Sequence, residues 1–347
     1  MTKVRWREQM VRLAAVPLGI ALLVSLIHRT GASTMVDQVK TLGWGLGLII
    51  ALGGIAHLTR SLAWRFTFLC DIRKVSLART FGLRLVSETI GSLGLPGQVL
   101  GETARVYLLG SALPVANSIS SVTLDRGIYI VTAALVSITG VLTALFLLPL
   151  SGTWRLFALL FASVLAASLV LTGVAIRRRW PVLSGAAKSI GRLPWSKSWL
   201  EGKQSIIDSA ESNLFSFHHK APKAFWASLV LNLASHGMAV LEVYVLLYFM
   251  GVRTGILGAL VIEAFTKLIN VVGAFNPGNF GTYEGGNMLL TRLLGIAGAP
   301  GLTLALCRRA RSMFWKAMGF LCLVAMSRSS LQSDRSLPAR YNPVEVS

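Results

Sequence analysis

Acidic residues are scarce in this chain, and charged residues of either sign are few. Asp and Glu number 14 against 34 Lys and Arg in 347 residues, and charged residues make up only 14% of the total. Hydrophobic residues make up 54%, and the mean hydropathy is +0.64. Several apolar runs approach or exceed the roughly 20 residues that cross a bilayer core. The composition therefore excludes a water-soluble protein and predicts a polytopic membrane protein.

The excess of basic residues gives a formal net charge of +20. In a soluble protein such a charge would indicate nucleic acid, but no RNA- or DNA-binding motif accompanies it here. Lys and Arg are instead typical of cytoplasmic loops and of segments that face anionic lipid. We therefore expect cytoplasmic loops and anionic lipid surfaces, and no nucleic acid, to account for the charge.

Only three cysteines are present, Cys70, Cys307 and Cys322, and each lies singly in apolar sequence. They form no CxxC pair and no metal-binding spacing, so they predict buried free thiols rather than disulfides. The adjacent His218 and His219 lack further ligands and are typical of a solvated loop. The chain also has no nucleophile elbow, HExxH motif or nucleotide-binding loop. The sequence thus predicts no catalytic residue, no metal site and no cofactor.

Apolar segments predict about six transmembrane helices. They lie at about residues 13–28, 42–69, 127–150, 156–176, 224–250 and 302–326. The first follows a basic start and has no convincing small-x-small cleavage site, so it is interpreted as a retained signal anchor. Basic residues at the segment ends place both termini in the cytoplasm, and the predicted location is the bacterial inner membrane.

The segments divide the chain into two membrane halves joined by a basic loop. Residues 1–41 form the anchor helix and a loop, 42–176 the first half, 177–223 the cytoplasmic loop, 224–326 the second half and 327–347 a cytoplasmic tail. Within the loop, "EGKQSIIDSAESNLFSF" carries apolar residues at helical spacing. This spacing predicts an amphipathic helix at the membrane interface.

Each half contains an apolar stretch that glycine and proline interrupt, at 85–112 and at 256–298. The residues at the interruptions are Pro96, Gly97 and Gly101 in the first half and Pro277, Gly278 and Gly281 in the second. Each arm is too short to cross a bilayer. We therefore predict two re-entrant hairpins, which are tolerated at membrane depth only where protein covers them or they face a wet cavity. The alternative role for these glycines is close helix packing.

The two interruptions resemble each other in sequence. Both "LPGQVLGETAR" and "NPGNFGTYEGG" place glycine and glutamate after Pro-Gly, and Arg126 lies 29 residues beyond Gly97 while Arg308 lies 30 residues beyond Gly278. The flanking spans run in opposite predicted directions in the two halves. This indicates an inverted repeat, in which transporters place their ligand at the repeat interface. The predicted fold is an all-α polytopic membrane protein with two re-entrant hairpins in an inverted repeat.

Charged residues within apolar sequence predict the binding site, because each is costly at the bilayer centre and must face a partner or water. The candidate substrate-binding residues are Glu102, Arg105, Asp125, Arg126, Glu284, Arg308 and Arg309. Arginine binds phosphate with two parallel hydrogen bonds, and free N–H groups at a helix break add positive charge. The carboxylates would orient the arginines or carry a coupling proton.

Three simpler interpretations stand beside this one. Asp125 and Arg126 would form a solvated pair at the cytoplasmic mouth of a span. Residues 308–311 would form a cytoplasmic loop, so that the second hairpin becomes two full spans. Glu263 and Lys267 have the spacing of an ion pair on one helix face with no further role.

At these motifs the sequence resembles the transmembrane, flippase-like region of lysylphosphatidylglycerol synthases and their stand-alone relatives. The matching stretches are "LTRSLAWRFTFL", "GLPGQVLGETARVYLL", "SVTLDRG", "NPGNFGTYEGG" and "LALCRRARSMFWKAMGF", which run from about residue 42 to 326. The family pattern Pro-Gly-x-x-Gly-x-x-Glu corresponds to Pro277, Gly278, Gly281 and Glu284, with Asn279 where a second glycine is usual. Its Gly-Glu-x-x-Arg corresponds to Gly101, Glu102 and Arg105. "RRARSMFWKAMG" looks most like the hopanoid-biosynthesis-associated branch.

The resemblance implies a lipid-handling function. Full-length synthases aminoacylate phosphatidylglycerol in a soluble C-terminal domain and move the product with the membrane part. Here only about twenty residues follow the last predicted span, so we expect no aminoacyl transfer. The expected function is translocation or transport of a lipid, either an anionic phospholipid or a hopanoid. The alternatives are an intramembrane enzyme or accessory subunit that modifies lipid headgroups, and a non-transporting scaffold that binds lipid-biosynthesis enzymes through residues 177–223.

Overall fold

The computed structural model describes residues 43–69, 75–92, 95–110, 112–148, 151–190, 204–273, 282–296 and 298–335. In this part of the chain the regular structure is entirely helical. The helices are α1 Gly45–Phe66, α2 Leu77–Gly91, α3 Leu95–Leu109, α4 Val115–Leu147, α5 Gly152–Arg177, α6 Val182–Ile190, α7 Gln204–Lys220, α8 Pro222–Phe249, α9 Ile256–Gly273, α10 Thr282–Leu293 and α11 Gly298–Arg335. The all-α polytopic prediction is confirmed.

Four of the described helices are long and apolar enough to cross a membrane: α1, α4, α5 and α8. They coincide with four of the six predicted spans. The predicted span at 13–28 lies outside the described residues. The predicted last span lies within α11, which carries four basic residues between 308 and 316 and so is not a purely apolar helix. Because 308–311 are helical, the interpretation of these residues as a loop is wrong.

Helix α4 begins twelve residues before the span that the sequence predicts at 127–150. Its first turns are rich in serine, which hides the helix from a hydropathy pattern. The hydroxyls of Ser120 and Ser121 donate to the carbonyls of Ala116 and Ser118 at 3.0 Å each, so they are satisfied within the helix. With 33 residues α4 is about 50 Å long, well over the roughly 30 Å of a bilayer core.

Two pairs of short helices occupy the regions predicted as hairpins. Helices α2 and α3 have 15 residues each, α9 has 18 and α10 has 12. At 1.5 Å per residue, α3 is about 23 Å long and cannot cross a bilayer core alone. These lengths support re-entry from one membrane face, which stays a prediction.

The interruption in the first pair is not where the sequence places it. Helix α2 ends at Gly91 and α3 begins at Leu95, so Pro96, Gly97 and Gly101 lie inside α3. Proline is tolerated there because the first turn of a helix has no intrahelical partner for its N–H groups. Gly101 is needed for packing, since a Cβ there would collide with the backbone carbonyl of Ser87. The second interruption, with Pro277, Gly278 and Gly281, lies outside the described residues.

The helices of the two halves pack in the same scheme. Helices α1, α2, α3 and α4 of the first half correspond in order to α8, α9, α10 and α11 of the second. In each half the first helix contacts the second, the second contacts the third, the third contacts the fourth, and the first contacts the fourth. Between the halves, α2 packs on α11 as α9 packs on α4, and α1 packs on α11 as α8 packs on α4. The helix pair α1 and α8 lies at the centre of this arrangement.

The relation between the halves is an inversion. Trp44, directly before α1, stacks edge-on against Phe249, the last residue of α8, with ring centroids 4.8 Å apart. The start of α1 therefore lies beside the end of α8, and these equivalent helices are antiparallel. This supports the inverted repeat that the sequence predicts.

Two glycines permit the equivalent cross-contacts between the halves. A Cβ at Gly140 in α4 would collide with Ala264 in α9, and a Cβ at Gly319 in α11 would collide with Thr89 in α2. Small residues at helix contacts let backbones approach closely in membrane proteins. The same device thus serves both copies of one interface.

Apolar residues form a separate core in each half. In the first half Trp64, Leu83, Leu109 and Val122 join α1 to α4. In the second half Val243, Ile262, Leu290 and Leu304 join α8 to α11, with Ile49 of α1. The polar residues described below lie between these two cores.

Candidate anion-binding site

Three helices of the first half bury one ion cluster. Asp125 of α4 accepts hydrogen bonds from Arg105 of α3 at 2.7 Å and from Arg84 of α2 at 3.2 Å. Their side chains are at most 5% exposed. The interpretation of Asp125 as part of a solvated pair is therefore wrong, although the side chain of its neighbour Arg126 is 40% exposed. Arg84, whose position in the sequence suggested a cytoplasmic flank, is also buried.

Arg105 is held from three sides. Glu102, one turn earlier on α3, accepts from it at 2.8 Å, and Asp125 accepts from its other terminal nitrogen. The guanidinium lies over the ring of Trp64 at 3.8 Å from the centroid, a cation–π contact. Glu102 therefore lies where it could orient Arg105, and that role stays a prediction.

A cavity of about 290 Å³ opens beside this cluster. Its walls come from α1, α2, α3, α4 and α11, so both halves contribute. The charged side chains that line it are Arg60, Arg84, Arg105, Arg126, Lys316, Glu88 and Glu102. Five are basic and two are acidic, so the formal charge of the lining is +3. A polar, mostly cationic cavity inside a bundle of apolar helices favours an anionic ligand.

Two of the basic residues have no carboxylate partner. Among the described residues, neither Arg60 nor Lys316 makes an ion pair within 4.0 Å. Arg60 lies over the ring of Tyr129, 3.9 Å from its centroid. The Nε atoms of Arg60, Arg84 and Arg105 are buried and have no hydrogen-bond partner among the described residues. Buried unmade hydrogen bonds are costly, so these arginines keep hydrogen-bonding capacity that the described residues do not satisfy.

The second half contains its own buried ion cluster. Glu263 of α9 accepts from Lys267 at 2.8 Å and from Arg308 at 2.7 Å. Glu242 of α8 lies 3.0 Å from Arg311 and 3.6 Å from Arg308. Glu263 and Lys267 do form the predicted pair, but the pair belongs to this larger cluster. Glu284 contacts Arg309 directly, as its proposed orienting role requires.

The predicted site residues thus fall into two groups. Glu102, Arg105, Asp125 and Arg126 meet at the cavity or directly behind it. Glu284, Arg308 and Arg309 belong to the second half and do not line the cavity. Helix α11 reaches the cavity through Ser312 and Lys316 instead.

A histidine and a glutamate recur at equivalent places in the two halves. His57 of α1 lies 3.3 Å from Glu88 of α2. His236 of α8 lies 3.3 Å from Lys267, which pairs with Glu263 of α9. In each half the first helix supplies the histidine and the second helix supplies the carboxylate. Together with Tyr129, whose ring contacts His236, they connect the two charged clusters.

Several cavity residues were missed by sequence reasoning. Arg60 and Arg84 look like the basic ends of spans, which are common in any membrane protein, and Lys316 lies in the interior of the last predicted span. Glu88 and Glu242 were available as signals, because Glu242 is the single acidic residue in the 28 residues of α8. An isolated carboxylate in an apolar helix indicates a buried partner.

Within the described residues, no group of three or more His, Cys, Asp or Glu side chains could hold a metal ion. The free thiol of Cys307 is buried and that of Cys322 is half-buried, as expected for these two; Cys70 lies outside the described residues.

Comparison with known proteins identifies the chain at the level of the family. No curated protein matches it, and no solved structure matches it. The family model described as "Lysylphosphatidylglycerol synthase TM region" matches residues 9–317, which is most of the chain. The motifs around Gly101–Arg105, Asp125 and Arg308 all lie inside that range. The chain is a member of the lysylphosphatidylglycerol synthase transmembrane-region family.

Proposed function

We propose that the protein binds the anionic headgroup of a membrane lipid in the cavity between its two halves and moves that lipid between the leaflets of the bacterial inner membrane. The observation that carries the proposal is the lining of the cavity, where five basic side chains exceed two carboxylates. Membership of a lipid-related membrane family supports a lipid as the source of the anion.

The volume of the cavity suits a lipid headgroup. About 290 Å³ lies at the lower end of ordinary ligand pockets. A phosphate with a small polar substituent fits such a volume, whereas two acyl chains do not. The acyl chains would stay among the apolar helices and the surrounding lipid.

An anionic phospholipid fits this cavity better than a hopanoid. Hopanoids are sterol-like and carry no phosphate, so they would bring no counter-charge to Arg60 and Lys316, which line the cavity and make no ion pair among the described residues. Burying uncompensated charge is unfavourable. A phosphate offers several acceptor oxygens, which suits arginine donors in particular.

Translocation is favoured over headgroup chemistry by the inverted repeat. Transporters of this architecture hold their ligand where the repeats meet and expose it alternately to the two sides. The cavity is lined from both halves, as this mechanism requires. We therefore propose a transporter that carries out no bond-making step. Headgroup modification and scaffolding of lipid-synthesis enzymes become outcomes of the test.

Lipid mass spectrometry on inner and outer membranes tests the proposal in cells with and without the gene. We expect one anionic lipid class to accumulate in the inner membrane while its total amount is unchanged. The double variant Arg60→Gln, Lys316→Gln should fail to restore the distribution. Arg155→Gln is the matched control, because Arg155 is an exposed basic residue outside the cavity.

Two other results would replace the proposal. If a modified lipid disappears and its precursor accumulates, the protein takes part in headgroup chemistry. If the double variant restores the lipid distribution fully, the cavity charges are not needed and the scaffold function is favoured.

A further inference from the structure

Helix α5 is the least covered of the four candidate spans. It packs mainly on α4, and its buried residues are Ala158 and Ala162. Large apolar side chains along it are exposed, with Val164 at 65% and Val170 at 66%. In a membrane protein such a surface is covered by lipid acyl chains.

A second cavity, of about 270 Å³, lies at the end of this helix, between α5 and the amphipathic helix α7. Gly173 and Ile176 of α5 form part of its apolar wall, and Arg177, Arg179, His218 and His219 supply its polar groups. No carboxylate is among the described residues that line it. Gly173 leaves the space open, because a Cβ there would meet nothing within 4 Å.

Arg179 occupies a strained position in this wall. Its φ is +50°, in the left-handed region that favours glycine. The N–H of Trp180 donates to the carbonyl of Ala175 at 2.9 Å, the bond that closes a helix with a left-handed residue after its end. Glycine is the usual residue here, so an arginine at this position keeps the backbone strained. A strained backbone at a residue that lines a cavity suggests that its side chain is kept for binding rather than for folding.

Helix α7 is fixed firmly enough to form the other wall. Glu211 accepts from the Ser184 hydroxyl at 2.6 Å and from the Leu183 N–H at 2.8 Å, which ties α7 to α6. Phe217 is buried, with a ring centroid 6.2 Å from that of Phe225 in α8. The predicted amphipathic helix is therefore present.

His218 differs from the arginines in charge. Partial burial, followed by repulsion from His219, lowers the pKa of His218 below its ordinary value. A neutral His218 is a hydrogen-bond donor and acceptor rather than a cation at pH 7. Arg177 and Arg179 then carry the positive charge of the cavity.

We propose that this cavity holds the phosphate of an anionic phospholipid, whose acyl chains lie along the exposed face of α5 above Gly173. Arg177 and Arg179 bind the phosphate, and the histidines on α7 donate from the opposite wall. Ala166, Val170 and Gly173 follow one another on the helix face that leads away from Arg177, so the apolar surface continues directly from the charged end. This site is separate from the central cavity, and its binding does not depend on translocation.

Photocrosslinking tests the site in the full-length protein. The protein is reconstituted in phosphatidylcholine vesicles with a trace of phosphatidylglycerol that carries a photoactivatable acyl chain, and peptides are mapped by mass spectrometry. We expect adducts on residues 166–176. The double variant Arg177→Gln, Arg179→Gly should lower their yield by about tenfold, the usual effect of losing a charge-assisted hydrogen bond.

Arg178→Gln is the matched control, because Arg178 has the same charge on the same turn but does not line the cavity. It should leave the adducts within about twofold, less than the loss of one such bond. Arg60→Gln, Lys316→Gln in the central cavity should also leave them unchanged. Arg179→Gly alone should not lower the melting temperature, which separates lost binding from misfolding.

Three results would overturn the proposal. Equal adduct yields from a photoactivatable phosphatidylcholine would show that α5 contacts lipid without recognising its charge. An equal loss of adducts in Arg178→Gln would show that the positive charge of this segment attracts the lipid without a specific site. Removal of the adducts by inorganic phosphate at physiological ionic strength would assign the cavity to a free anion.

Discussion

The two halves of the molecule share one packing scheme but balance their buried charges differently. In the second half Lys267, Arg308, Arg309 and Arg311 each contact a carboxylate. In the first half Asp125 and Glu102 neutralise only part of the basic charge, and a cavity lies beside the remainder. The second cluster pairs each of these cations with a carboxylate, whereas beside the first cluster Arg60 lines the cavity without an ion pair among the described residues.

The difference distinguishes residues that both copies of the repeat need for packing from residues that one copy uses for binding. Close helix contacts at Gly140 and Gly319 are needed in both copies, so they recur. Ligand binding needs an excess of one charge in one place, so the polar residues diverge. The carboxylate that bridges two cations is the shared structural element. Arg60 and Lys316, which make no ion pair within the described part of the chain, are the proposed functional addition.

The largest expected effect comes from removing a bridging carboxylate. Asp125→Asn removes the carboxylate that pairs with the buried Arg84 and one of the two that Arg105 contacts. Glu263→Gln removes the carboxylate that pairs with Lys267 and one of the two that lie near Arg308. Each should lower the free energy of unfolding by about 3–5 kcal/mol. Thermal unfolding of the purified variants in detergent measures this.

Glu102→Gln is the control for these two variants. The Glu102 side chain is 28% exposed and Arg105 keeps its bond to Asp125, so we expect a loss of about 1 kcal/mol or less. A loss as large as that of Asp125→Asn would show that the buried bridge is not the main element of the cluster.

A smaller effect is expected from the cross-contacts between the halves. Gly140→Ala and Gly319→Ala would each force α4 or α11 away from its partner, at a cost of about 1–3 kcal/mol. Both should shift the melting temperature in the same direction and by similar amounts. Gly127→Ala is the control, because a Cβ there meets nothing within 4 Å. Unequal shifts would argue against equivalent interfaces.

The smallest effect on stability should come from the unpaired cations. Arg60 and Lys316 contribute no ion pair among the described residues, and an uncompensated cation is a cost to the empty protein. Arg60→Gln and Lys316→Gln should leave the free energy of unfolding unchanged or raise it by about 0.5–1 kcal/mol. A loss larger than the roughly 0.5–2 kcal/mol of the cation–π contact between Arg60 and Tyr129 would show that these residues have further structural partners.

The membrane spans could be predicted from the sequence because a long apolar run is a local property. The inverted repeat was also visible, since two similar motifs lie between spans of opposite direction. The start of α4 was missed, because Ser120 and Ser121 satisfy their hydroxyls within the helix and a hydropathy pattern does not register this. Pro96 indicated a helix break but lies in the first turn of α3.

The site was only half predictable, because ion pairing is not local. Arg105 and Glu102 are one turn apart and could be paired from their spacing. Arg84 meets Asp125 from 41 residues away, and the sequence around it looks like an ordinary basic flank. The division of the candidate residues into two clusters depends on how α11 crosses both halves, which no motif records.

The most direct test of a lipid-binding central cavity is translocation by the reconstituted protein. Vesicles would contain fluorescent phosphatidylglycerol or fluorescent phosphatidylcholine, and a membrane-impermeant quencher would report the fraction that reaches the outer leaflet. We predict that wild type moves the anionic lipid faster than the zwitterionic lipid, that Arg60→Gln, Lys316→Gln abolishes this preference, and that Arg155→Gln retains it. Equal movement of both lipids by wild type, or full activity of the double variant, would contradict the central cavity as the headgroup site.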